Sequence, residues 1–188
     1  LYELRFLHGS LLKSLKSSFI VTEIGDKSNV IRQNNQMEAL IDQLSETRFN
    51  KIEHVSEIGS TNSDLASKAS TLPDGFTLIA DHQTAGRGRM GRNWEAPPSA
   101  NLLFSVLLHP KWSEERHQLV TPALALATVE MLQPLGMKAS IKWPNDVVVQ
   151  REKSKKIAGI LAEYVQQENP VLIAGMGLNI GWPKLEDS

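Results

Sequence analysis

A chain of 188 residues is long enough to bury a substantial core, and 41% hydrophobic residues, 22% charged residues and a net charge of −1 describe a globular protein. That balance excludes a wholesale nucleic-acid or membrane binder, so any recognition of anions has to be local. The absence of cysteine excludes a disulfide framework, a thiolate metal site and a cysteine nucleophile together, and it fits a reducing cytoplasm.

Residues 1–20 carry Glu3, Arg5, His8, Lys13 and Lys16 among their apolar residues, so they lack the unbroken apolar segment of a signal peptide. No run approaches the ~20 apolar residues of a membrane span. Residues 1–45 form an N-terminal extension of unclear fold. Its clearest pattern is Met37, Leu40, Ile41 and Leu44 at helical spacing, which predicts an amphipathic helix over Gln36 to Ser45. No helix-turn-helix is recognisable, which argues against DNA as a partner.

From residue 46 to 188, short apolar runs alternate with turn signals, as in a mixed α/β domain. Strands are expected over 54–58, 76–81, 102–109, 139–142, 147–150, 157–164 and 171–175. Thr61 or Asn62 can cap a short helix reaching Ser70. Ser113 opens a longer helix, with Leu119, Leu124, Leu126, Val129 and Leu132 as its apolar stripe and Gly136 as its end. Strands outnumber helices, so the predicted class is α+β: a mixed β-sheet with helices packed on one face.

The densest motif runs from Gln83 to Trp94. Arg87, Arg89 and Arg92 alternate with Gly86, Gly88 and Gly91, and no acidic residue interrupts Thr84 to Trp94. Glycines let backbone N–H groups turn toward an anion, and arginines add charge-assisted bonds to phosphate or carboxylate. Gly86-x-Gly88-x-x-Gly91 also matches the dinucleotide-binding fingerprint. However, Pro97-Pro98 forbids the helix that should begin there, and the acidic residue expected about 20 positions on falls in the apolar 102–109 run. Alone, the segment also reads as a basic surface loop.

Lys142-Trp143-Pro144-Asn145-Asp146 joins a lysine to two oxygen-bearing side chains after a strand-like run, although a Pro-Asn-Asp cluster by itself is simply a turn. In Lys155 to Glu163 a lysine enters a strand whose Gly159 permits close ligand approach. The plain alternative is an ordinary strand with basic gatekeepers.

These motifs, together with Ser60-Thr61-Asn62 and Gly175-Met176-Gly177-Leu178-Asn179, stand in the order they have in biotin protein ligases. Over about residues 40–182 the chain resembles that family. The resemblance implies a class II aminoacyl-tRNA synthetase-like core, as in biotin and lipoate ligases. It implies a ligase that activates biotin with ATP to biotinyl-5'-AMP and transfers the biotinyl group to a lysine of a biotin carboxyl carrier protein. ATP and biotin are then the substrates, with Mg2+ as the expected companion ion, its ligands not identified. The partner would be the carrier domain of a biotin-dependent carboxylase, and a homodimer and a cytoplasmic location are compatible with it.

By position, Ser60, Thr61, Asn62 and Gln83 resemble contacts to the biotin ring system, whose ureido group needs both donors and acceptors. Asn62 is also a candidate helix cap. Arg87, Gly88 and Arg89 resemble the loop that closes over biotin and the adenylate phosphate, while Lys156 and Gly159 would lie at the acyl-phosphate region. Trp94 matches a tryptophan that stacks on adenine, with core packing as the alternative. Lys142, Asn145, Asp146 and Asn179 would meet the nucleotide. Arg89, Lys142 and Lys156 are the candidate catalytic groups, because carboxylate attack on an α-phosphorus needs positive charge and alignment rather than a base. The base for the transfer step is not identified.

Met90 stands where many loops of the family carry another basic residue. Family members also continue into further helices and a small β-barrel, so the chain is expected to be truncated at its C-terminus. The rival readings are a lipoate or octanoate ligase of the same fold, and a non-catalytic biotin-binding or DNA-binding repressor module.

Overall fold

The computed structural model describes residues 41–98, 101–150 and 154–179. Most of the 1–45 extension lies outside the described residues. Of the helix expected over 36–45, residues 41–44 are helical, and Leu44 is fully buried together with Phe49.

Seven strands, β1 (Ile52–Ile58), β2 (Thr77–Gln83), β3 (Asn101–Leu108), β4 (Ala139–Lys142), β5 (Asp146–Val149), β6 (Lys155–Val165) and β7 (Val171–Asn179), form one sheet in the order β1-β2-β3-β7-β6-β5-β4. Only β1 and β2 are parallel; every other neighbouring pair is antiparallel. Central β3 is buried along its whole length, as an unbroken apolar run requires when both faces are covered. β7 runs four residues beyond the expected 171–175. Gly175 and Gly177 weaken the strand signal, but Met176 and Leu178 keep the alternation and enter the core.

Helix α1 (Thr61–Ser67) begins one or two residues earlier than a cap at Thr61 or Asn62 implies, because Ser60 is its cap and accepts from the Ser63 N–H at 3.4 Å, and it ends three residues before the expected Ser70. Helix α2 (Val120–Leu132) is preceded by a 3-10 segment, Glu114–Leu119, and followed by another, Gln133–Leu135. Gly136 then ends the run at φ 74. Its buried face differs from the expected stripe: Leu119 and Leu126 are exposed, while Val120, Ala127, Thr128 and Met131 join Leu124, Val129 and Leu132 inside.

The mixed sheet and α+β class are as expected, with one correction to the placement of helices. Strand alternation separates two cores. α2 packs with Ile79, Phe104, Val106, Ala174 and Met176 on one face, whereas Leu65 of α1 packs with Leu78, Leu107 and Ile173 on the other. The helices therefore occupy opposite faces. α1 covers only one end of its face, leaving the glycine-bearing part of β6 and β7 open beside it.

Candidate active site

That open part is a cavity of about 340 Å3, within the range of small-molecule sites. Every candidate catalytic or binding residue named from the sequence lines it except Asn179. Its lining carries five cations, Arg87, Arg89, Arg92, Lys142 and Lys156, against one carboxylate, Asp146. Such a surplus favours an anionic ligand.

The floor is bare backbone. Gly159 of β6 and Gly177 of β7 are register partners, and the Trp94 indole lies directly on them. A Cβ on Gly159 would meet the ring at 2.6 Å and one on Gly177 at 2.4 Å. Gly175 likewise leaves room for Asn62, whose Oδ1 would lie 2.1 Å from an added Cβ. The Trp94 indole N–H is buried without an acceptor among the described residues.

At one end of the floor a hydrogen-bond network fixes the start of α1. Gln83 Oε1 accepts from the Thr61 backbone N–H at 2.7 Å, satisfying a free donor of the first helical turn. Thr61 Oγ1 is 3.0 Å from the same oxygen. Gln83 is thereby oriented with its NH2 group still to offer. Ser105 Oγ lies 2.7 Å from Thr61 Oγ1 and 2.6 Å from Asn62 Oδ1. A carboxamide oxygen carries no hydrogen, so the single Ser105 proton goes to Asn62, and Thr61 donates in turn. Asn62 Nδ2 donates to Leu161 O at 3.2 Å and to Glu163 Oε2 at 2.8 Å. Asn62 is thus a buried connector, and the capping role falls to Ser60.

The arginine segment is a closed hairpin-like loop. Trp94 N–H donates to Gly86 O and Gly88 N–H to Arg92 O, with Met90 (φ 57) and Gly91 (φ 73) turning the tip through left-handed conformations. Arg87 is held by Glu163 and by Ser63 Oγ at 3.0 Å. Arg89 reaches across to Asn145 Oδ1 at 3.3 Å, so the loop spans the cavity toward the β4–β5 turn. That turn contains a cis Trp143–Pro144 bond. It is fastened to β6 by Asn145 Nδ2 donating to Ile160 O at 3.1 Å and by Ile160 N–H donating to Asn145 O at 2.9 Å.

Lys156 reaches the cavity through a β-bulge. Val147 pairs with Ala158 but Val148 pairs with Lys156, leaving Ile157 as the extra residue. The bulge turns Lys156, rather than Lys155, to the Gly159 face. Its ammonium lies 2.8 Å from Asp146 Oδ1, an ion contact without hydrogen-bond alignment, and 5.1 Å from the centroid of the Trp94 ring. Asn179 is not brought to the cavity: its Nδ2 donates to Lys156 O at 3.1 Å and its Oδ1 accepts from Asn101 at 2.9 Å.

Ser105 and Glu163, which brace the cavity without lining it, are residues that reading the sequence missed. Ser105 is the one polar residue inside the apolar run of β3, and Glu163 is the one acid of the apolar strand β6; those were the available signals. Among the described residues no group of three or more His, Asp or Glu could hold a metal, and no helix is long and apolar enough to cross a membrane. Away from the cavity, Tyr164 is held above the usual phenol range by desolvation and by its bond to Glu114.

A mixed sheet with a cationic, glycine-floored cavity and an aromatic ring laid on that floor defines a domain suited to a flat, anionic ligand. The chain belongs to the biotin/lipoate A/B protein ligase family, whose model matches residues 55–180. It is 37% identical over 144 residues to the biotin–[acetyl-CoA-carboxylase] ligase of Mycobacterium tuberculosis, covering 70% of this chain and 50% of that one. It is 36% identical over 138 residues to the bifunctional ligase/repressor BirA of Escherichia coli, covering 70% and 41%. Biotin protein ligase from Aquifex aeolicus, solved in complex with biotin and ATP, superposes with a TM-score of 0.59 at 31% identity, covering 74% of this chain and 56% of that one. The chain spans about half the length or less of these curated relatives.

Proposed function

We propose that this chain carries the biotin- and ATP-binding core of a biotin protein ligase, forming biotinyl-5'-AMP and passing the biotinyl group to a lysine of a biotin carboxyl carrier domain. The observation that carries the reading is the pairing, in one cavity, of a cationic loop with a polar corner that already orients Gln83, Thr61 and Ser60. The ureido group of biotin would meet that corner, receiving a hydrogen bond from the Gln83 NH2 and exchanging others with the Ser60 and Thr61 hydroxyls. Its valeryl chain would run past the edge of the Trp94 indole toward Lys156, with adenine against the outer face of that ring.

Biotin's carboxylate would attack the α-phosphorus of ATP and release pyrophosphate. Arg89, Lys142 and Lys156 would stabilise the charge on the phosphoryl oxygens, and Lys156 would also hold the attacking carboxylate in line. Arg92, which has no acidic partner among the described residues, adds charge at the same side. Mg2+ would arrive with the nucleotide: Asp146 and Asn145 offer one or two oxygens, which suffices for an ion held mainly by phosphates and water. The carrier lysine would then attack the anhydride carbonyl and release AMP. A cytoplasmic location and a homodimer belong to this proposal as well.

Incubating the chain with ATP, Mg2+, biotin and a biotin carboxyl carrier domain should add one biotinyl group, read by mass spectrometry, and biotin should drive ATP–pyrophosphate exchange. Exchange driven by lipoate but not by biotin would overturn the choice of acid.

A further inference from the structure

We propose that Glu163 is a positioning residue for the cationic loop: it holds Arg87 at the cavity rim and so sets the affinity for the acid substrate. The proposal deepens, and rests on, the reading of the cavity as a biotin site. Glu163 is on β6 beyond the floor, does not line the cavity, and uses both carboxylate oxygens. Oε2 accepts from Asn62 Nδ2 at 2.8 Å, and Oε1 pairs with Arg87.

Through these two bonds one side chain joins segments far apart in sequence. Asn62 is seated on Gly175 and bonded to Ser105, so its position is set by β3, β7 and α1 together. Arg87 is the second residue of the hairpin closed by Trp94 and Gly86. Glu163 thus ties the arginine side chain of the glycine-rich loop to the sheet. The Arg87 side chain is 49% exposed and the Glu163 side chain 27%, so the pair contributes little to global stability. What it determines is where a flexible arginine points.

Electrostatics and positioning predict opposite signs. Removing a carboxylate near the cavity raises the local positive potential, which by Coulomb's law alone favours an anionic acid. Loss of positioning weakens binding of the same acid. Glu163→Gln separates them, because its carboxamide oxygen can still accept from Asn62 while the charged partner of Arg87 is gone.

The test uses the 188-residue chain, Glu163→Gln, Arg87→Gln and the double variant, with two readouts. Limited trypsin digestion reports loop immobilisation without reference to function: cleavage within Arg87–Arg92 should be at least tenfold faster in Glu163→Gln, with an unchanged melting temperature. In biotin-dependent ATP–pyrophosphate exchange, KM for biotin should rise about tenfold with kcat within twofold, and Glu163→Gln should add nothing further on the Arg87→Gln background. Unchanged cleavage overturns the proposal whatever the ligand. Faster cleavage with an unchanged or lowered KM, or a full effect persisting without Arg87, overturns its link to the site. Faster cleavage in a chain whose parent shows no response to biotin upholds the loop anchor and refutes the biotin reading instead.

Discussion

Gly177→Ala puts a methyl group where the structure has the indole of Trp94. The added Cβ would lie 2.4 to 2.7 Å from three atoms of that ring, against about 3.5–4.0 Å for an ordinary contact, so the ring must recede by roughly 1 Å. The strand cannot yield, because Gly177 pairs with Leu103 on one side and Gly159 on the other. Overpacking of this kind costs about 1–3 kcal/mol, or roughly 2–12 °C of melting temperature for a domain of this size. A displaced ring also loses its stack on adenine, worth about 0.5–1.5 kcal/mol, which raises KM for ATP about two- to tenfold. Gly59→Ala is the control, since nothing lies within 4 Å of its added Cβ. Thermal melts and ATP titrations of pyrophosphate exchange read both effects. A lowered melting temperature with an unaltered KM for ATP would show that Trp94 packs the floor and takes no part in nucleotide binding.

Three further outcomes follow from the same geometry. Arg89→Ala should weaken binding of biotinyl-5'-AMP by about 1.5–3 kcal/mol in calorimetry while leaving the melting temperature in place, because among the described residues the exposed Arg89 side chain hydrogen-bonds only to Asn145. Lys156→Ala should slow single-turnover adenylation more than tenfold and Lys155→Ala should change little, as the bulge turns only Lys156 to the cavity; equal effects would refute that register. Asn62→Ala should destabilise the fold by about 1–3 kcal/mol in chemical denaturation, since it strips partners from Ser105 and Leu161 in the interior.

Much of the sheet was legible because its strands are short apolar runs bounded by turn signals: the limits expected for β4 coincide with those found, and the others differ by one or two residues at most ends. β7 was cut short because a glycine signals weak strand, and nothing local reveals that the two glycines exist to seat Asn62 and Trp94 from other segments. The buried face of α2 departs from the leucine stripe because small residues, Ala125, Ala127 and Thr128, share it, and small residues carry little apolar signal in a sequence. The cavity residues were legible as motifs of a family. The bonds among them were not, since Gln83 to Thr61 and Glu163 to Arg87 are long-range pairs that only the folded chain defines. Asn179 shows the converse: a residue within a recognised motif turns out to brace β6 behind Lys156.

The extra residue at Ile157 makes the identity of the cavity lysine a matter of counting. Lys155 and Lys156 are chemically the same, and the ladder decides which of them faces the ligand. Deleting Ile157 would leave Lys156 opposite Val148 and still facing the cavity, whereas pairing Ile157 with Val148 at unchanged length would move Lys156 opposite Val149 and turn its ammonium away from Asp146. The composition would not change in that shifted register, while the one lysine poised over the Trp94 ring would be lost. Deletion of Ile157 should consequently be better tolerated than deletion of Ile160, Leu161 or Ala162, which would put Gly159 and Glu163 on opposite faces of the sheet. A library of length variants, scored for biotin-dependent exchange, would expose this as a sharp gap between the two kinds of deletion.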